Sequence, residues 1–220
     1  PEEKADFGKL KLDECFIDIG AENEEEARKL VQVGDTCVYD RSIRTRGGRV
    51  MGPYLDDRIA CAVLLCALER IKKPACDLYM VFTVQEEVGL RGAKTAAWWV
   101  EPDLGIAVDV TDVDDTPGSE KSGTTQLGRG AAVKVMDASV VCHPEVVATL
   151  EELAKAQGIP VQRDILCAGG TDAGAIHTTR LGVKTGGISI PCRYIHTPAE
   201  TADLEDARAC VQLVSALAQA

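Results

Sequence analysis

From Asp56 onward the chain alternates apolar runs with helix-patterned segments, and that alternation restricts its fold more than any other feature. The runs at 78–84, 104–110, 128–136, 160–166 and 184–190 are largely continuous rather than alternating, as in strands covered on both faces. Segments 59–71, 90–100, 143–156 and 171–178 read as helices, and 203–218 closes the chain as an amphipathic one. Pro144 sits where the first turn of the third helix tolerates it. This order predicts an α/β fold: a mostly parallel sheet with helices on both faces. Hydrophobic residues make up 45% of the 220 and aromatics only 4%, so aliphatic side chains must fill the core.

Ahead of Asp56 the pattern differs. Short strands are expected at 16–20 and 36–39, with a helix opened by Asn23 and acids in its first turn between them. Arg41 to Gly48 reads as a hairpin or surface loop. A net charge of −11 argues against nucleic acid, which needs clustered Lys and Arg. The nine scattered cysteines form no Cys-x-x-Cys pair and fit reduced thiols in a cytoplasmic protein. Neither a signal peptide nor a bilayer-length apolar stretch is evident, and the start at Pro1 suggests part of a longer polypeptide.

Chemistry-bearing residues gather at the predicted strand ends. Asp56-Asp57-Arg58 opens the first core helix, Glu86-Glu87-Val88-Gly89 follows the 78–84 run, and Asp109 stands at the end of the 104–110 run. His196 lies just past the 184–190 run. Ends on one edge of a parallel sheet converge, so these residues can meet. Carboxylates with an imidazole suit Zn²⁺, Co²⁺ or Mn²⁺, and a shared carboxylate suits a pair of such ions. Each residue also has an ordinary reading: Asp56 and Asp57 as helix caps, Asp109 as a turn residue, Glu86-Glu87 as a solvated turn. Taken together, their like positions favour a metal site.

Leu55-Asp56-Asp57-Arg58, Phe82 through Ala93 (FTVQEEVGLRGA), Ala107-Val108-Asp109-Val110-Thr111, Gly169-Gly170-Thr171-Asp172-Ala173 and Pro191 through Pro198 (PCRYIHTP) resemble, in order, blocks of the glutamyl and tetrahedral aminopeptidases. This is metallopeptidase family 42, which includes proteins labelled endoglucanases. The resemblance implies an α/β catalytic domain interrupted by a small β-rich assembly domain. Residues 1–53 would be the tail of that insertion, and 54–220 the catalytic domain without its N-terminal segment. It implies two divalent metals (Zn or Co, or else Mn), with Asp56 bridging both, Glu87 and His196 completing one site, and Asp109 serving the other. Glu86 would be the general base. Asp57 would sit behind the ligands, with the Asp56–Asp57 peptide cis. Peptides with a free N-terminus are the implied substrates and a homo-oligomer the implied assembly, with no nucleic acid or membrane partner.

One departure bears on the metals. The family's remaining ligand is a histidine in a His-x-Asp motif, whereas this chain has only His143, His177 and His196, none in such a motif. His177 and His143 read as structural or surface residues. The expectation is that the segment bearing the first histidine is absent and the Asp56–Asp109 site is weakened. Two alternatives stay open: a related di-metal deacylase or carboxypeptidase, and a catalytically incomplete fragment or assembly subunit. A serine hydrolase lacks its Gly-x-Ser-x-Gly elbow, and the adjacent Cys142 and His143 would point apart along a strand.

Overall fold

The computed structural model describes residues 11–118 and 123–220. The first ten residues of the expected 1–53 segment, and residues 119–122, lie outside them. The chain divides into a unit ending at Tyr39 and a second, Asp40–Ala220.

In the first unit, α1 (Glu24–Leu30) starts at Asn23, whose side chain accepts the Glu26 N–H, and carries Glu24–Arg28 and Glu25–Lys29 pairs one turn apart. A short 3-10 turn spans Leu12–Glu14. The strands expected at 16–20 and 36–39 do not form. Among the described residues neither has a partner ladder, and Phe16, Ile17 and Val38 are exposed. An apolar run becomes a strand only when a neighbouring backbone pairs with it.

The second unit is one seven-stranded sheet with helices. The hairpin β1 (Arg44–Arg46) and β2 (Arg49–Met51) turns through Gly47 and Gly48, as the sequence suggests. It belongs to this unit because β2 pairs with β7 (Thr201–Asp203), whereas the sequence reading groups it with residues 1–53. The other strands are β3 (Leu104–Asp112), β4 (Ala131–Met136), β5 (Val161–Ile165) and β6 (Lys184–Arg193). The two longest ladders, β3–β6 and β4–β5, are parallel. Those of β6 with β4 and β7, and of β2 with β1 and β7, are antiparallel. The sheet is therefore mixed.

The expected strand at 78–84 is a correction. Among the described residues it joins no ladder, and Tyr79, Val81, Phe82 and Val84 are exposed. β3 pairs only with β6 among those residues, so no strand stands beside its other edge.

The helices are α2 (Leu55–Arg70), α3 (Arg91–Val100), α4 (Pro144–Gln157), α5 (Ala173–Ile176) and α6 (Leu204–Leu217). Leu55, Ile59, Val63 and Ala67 recur every fourth residue and form the buried stripe of α2, packed on α6 and β3. Each large aliphatic in it contributes about 1.5–3 kcal/mol by leaving water. Gly105 pairs with Thr185 and shares its face, where an added Cβ would lie 2.4 Å from Ile176 of α5. Gly186, one residue on, faces the other way, where a Cβ would lie 2.5 Å from Val146 of α4. Helices thus cover both faces at contacts only glycine permits. No helix among the described residues is long and apolar enough to cross a membrane.

Two buried carboxylates tie the interior together. Lys134 on β4 and Asp164 on β5, each 1% exposed, form an ion pair at 2.6 Å, and Thr111 donates to the other Asp164 oxygen at 3.0 Å. Asp206 of α6, fully buried, accepts the N–H groups of Gly128 and Gly130 at 2.7 and 2.6 Å.

Candidate metal centre

Three segments outside the strands carry most of the acids and the histidine. The first is the start of α2, where Asp56 and Asp57 depart from helical backbone and their peptide bond is cis. The second follows Val84, where Gly89 and Leu90 donate back to the Glu86 carbonyl at 3.0 and 2.9 Å. Gly92 then donates to the Val84 carbonyl at 2.9 Å, so close that a Cβ on Gly92 would sit 2.5 Å from Val84 N. The third leaves β6 at Arg193 and turns through Tyr194 and His196. Tyr54, Gln85, Tyr194 and His196 stand in the left-handed region at φ 63°, 59°, 58° and 64°. Each costs about 1 kcal/mol, and their placement beside the site is typical of backbone held for function.

The side chains converge. His196 Nε2 lies 3.1 Å from Asp56 Oδ2 and 3.1 Å from Glu87 Oε2. The imidazole is 68% exposed, whereas the Asp56 side chain is 9% exposed, so the trio opens outward from a buried carboxylate. Ligand atoms of Asp56, Glu87 and His196 lie within 4.8 Å of one another, and so do those of Asp56, Asp57 and Asp109. Asp56 belongs to both groups. Asp109 arrives on β3, where its Oδ1 accepts the Val110 N–H at 2.8 Å.

Burial, then Glu87 alongside, pushes Asp56 up to about 6. Burial, then Asp109 and Asp56, pushes Asp57 up to about 10, and its buried Oδ1 has no hydrogen-bond partner. Asp109 is raised by burial and then by Asp56 and Glu86. Burial, then Asp172 and Glu87, pushes Glu86 up to about 7. Four crowded acids, one with an orphaned oxygen, ask for compensating positive charge. Carboxylates with one imidazole suit a divalent ion, so these residues fit the metals that the sequence blocks imply.

A pH dependence follows. Each acid's folded value lies above its unfolded one, so between those values the folded chain holds the extra proton. The stability this contributes is full below the ordinary carboxyl range and is lost as pH rises, through about 6 for Asp56, about 7 for Glu86 and about 10 for Asp57. With chelator present, urea unfolding should show stability falling continuously from pH 5 to pH 8. Added Zn²⁺ or Co²⁺ should remove that fall. A flat profile in chelator would mean that the acids are not crowded.

The structure brings Asp56, Asp57, Glu87, Asp109 and His196 together, with Glu86 an electrostatic neighbour. Asp57, which the resemblance places behind the ligands, offers an oxygen to the second group itself. The other histidines have separate roles: His143 caps α4 by accepting the Glu145 N–H at 3.3 Å, and the His177 ring lies 3.0 Å from the Ala173 carbonyl oxygen. The described ends of the connection between β3 and β4 are anchored. Asp115 pairs with Arg193, and Thr125 donates to the Asp112 carbonyl at 2.8 Å.

Two acids escape the sequence reading of the site. Asp172 accepts from Thr83 at 2.6 Å beside the Glu86 turn. Glu200 accepts the N–H of Asp56 and that of His196, each at 3.0 Å. Asp172 lies in a block that resembles the family, whereas Glu200, two residues past Pro198, falls outside every such block.

The family model described as M42 glutamyl aminopeptidase matches residues 2–213. A protein of Acetivibrio thermocellus is 49% identical over 97% of this chain and 64% of its own length. The structure of an aminopeptidase from the archaeon Desulfurococcus kamchatkensis superposes with TM-score 0.89 at 42% identity, covering 92% of this chain and 58% of that one. The Pyrococcus horikoshii TET1 peptidase, which can assemble into a tetrahedron or a large octahedral shell, gives TM-score 0.78 at 31% identity over 98% of this chain and 66% of that one. The chain spans about three-fifths of the length of the curated relatives it matches.

Proposed function

The chain belongs to the M42 glutamyl aminopeptidase family, and from that membership we propose that it carries the catalytic acids of a metal-dependent aminopeptidase that removes N-terminal residues from peptides. The observation carrying this reading is the meeting of Asp56, Glu87 and His196 within 3.1 Å contacts beside Glu86. Asp56, Glu87 and His196 would hold one ion, and Asp56 and Asp109, with Asp57 near, a second. When bound, two divalent ions polarise the scissile carbonyl and acidify water.

The remaining steps belong to the chain's own groups. Glu86, raised to about 7 by burial and its acidic neighbours, accepts a proton from the attacking water and passes it to the departing amine. The exposed side of His196 and Glu87 leaves the trio open to a substrate. Unspent negative charge in the cluster favours a free N-terminal ammonium over a blocked one. Only one imidazole reaches the cluster, and the second group is wholly carboxylate. We therefore assign the tighter site to Asp56, Glu87 and His196 and the weaker to Asp56 and Asp109. Assembly into homo-oligomers, as the TET1 peptidase does, extends the same proposal. A cytoplasmic setting fits nine cysteines that are all unpaired.

Glu86→Gln, made in the natural full-length polypeptide, tests the base. Divalent-metal affinity by calorimetry should stay within about threefold, while turnover of free-amine peptides falls roughly 100-fold or more. N-blocked peptides should remain uncleaved throughout. Near-normal turnover by the variant would take Glu86 out of the base role, and cleavage of blocked peptides would favour the deacylase or carboxypeptidase reading.

A further inference from the structure

Neither carboxylate group contains Glu200, yet its side chain touches the backbone of two members. It stands between β6 and β7 and is 3% exposed. Its Oε2 accepts the Asp56 N–H and its Oε1 the His196 N–H, each at 3.0 Å. Its own carbonyl accepts the Gly52 N–H at 3.0 Å, tying in the chain that leaves β2. Both bound amides need such a partner. Asp56 lies in the first turn of α2, where N–H groups have no helical acceptor, and His196 is held at φ 64°, outside any ladder. One buried carboxylate thus spans two segments 140 residues apart in sequence, using both oxygens.

We propose that Glu200 is a positioning residue: by gripping the Asp56 and His196 amides it sets the distance between an acid and an imidazole that share a metal. This rests on the metal reading above. A carboxylate is the side chain for the task because it offers two acceptors and no donor. Glutamine keeps one acceptor oxygen and turns an NH₂ toward the other amide, so one of the two grips is lost. Aspartate, a methylene shorter, cannot span both. Loosening the relative placement of two ligands weakens metal binding without removing a ligand.

The experiment compares the unsubstituted chain with Glu200→Gln and Asp206→Asn. Asp206 is the control because it grips two amides in the same way, those of Gly128 and Gly130, outside both metal groups. Zn²⁺ and Co²⁺ affinities are read by calorimetry and stability by urea unfolding in chelator. Glu200→Gln should lose roughly 10–100-fold in affinity. Asp206→Asn should lower stability and leave affinity within about twofold. Equal affinity in Glu200→Gln and the unsubstituted chain, or an equal loss in Asp206→Asn, overturns the positioning role. Failure of the unsubstituted chain to bind either ion overturns the metal reading itself. Hydrogen exchange on the unsubstituted chain in chelator needs no variant to fold. The Asp56 and His196 amides should be protected, and exchange at the rate of open-loop amides would show that the grip is absent.

Discussion

Asparagine in place of Asp56 is expected to lower Zn²⁺ and Co²⁺ affinity roughly 100-fold or more and to leave the fold standing. Asp56 is the one residue common to the two ligand groups, so its loss strikes both sites. Its carboxyl is raised to about 6 because burial and Glu87 disfavour its charge. At pH 7.5 an uncharged amide of the same shape relieves that repulsion. In chelator, thermal unfolding of Asp56→Asn should therefore occur at the same temperature as the parent or a few degrees higher. Opposite signs in the two measurements mark a residue kept for binding at the expense of stability. Unchanged metal affinity would remove Asp56 from the centre.

The second large effect lies away from the centre. Lys134→Met should destabilise the chain by about 3–5 kcal/mol, because Asp164 would stay buried with only Thr111 against it. For a unit of this size that is a drop of roughly 10 °C or more in the unfolding midpoint. Adding Asp164→Leu should recover most of the loss, since two apolar side chains fill the space of the pair without an orphaned charge. Urea and thermal unfolding of the single and double variants decide the matter. A cost below about 1 kcal/mol for Lys134→Met would show the pair to be solvated, as exposed pairs are.

What could be read from the residues, and what could not, divides along physical lines. The helix read at 143–156 from Pro144 in its first turn forms at 144–157, and the glycine-terminated stretch 41–48, read as a hairpin or surface loop, supplies the first strand and turn of the hairpin at 44–51. Both are local signals. The run at 78–84 was equally apolar, yet it joins no ladder among the described residues. Hydrophobicity reports a capacity for burial, whereas a strand also requires a neighbour, and sequence pattern is silent about neighbours. Strand direction was hidden for the same reason: Val133 lies in an antiparallel ladder with β6 and a parallel one with β5. At the centre, the acids were visible because each stands beside an apolar run or at the start of an apolar helix. Glu200 was not, since its importance lies in what its oxygens touch across the fold.

The rim of β3 left unmatched among the described residues, with Tyr79, Val81, Phe82 and Val84 exposed elsewhere on the same unit, also bears on how copies of this chain behave in solution. Bare backbone along a strand can template pairing with any extended peptide, a twin included. A net charge of −11 opposes such encounters at long range. That protection reaches only as far as salt allows, about 10 Å at 0.1 M. Colloidal stability is thus lent by net charge rather than built into the rim: dilute buffer keeps molecules apart, and concentrated salt lets them cohere.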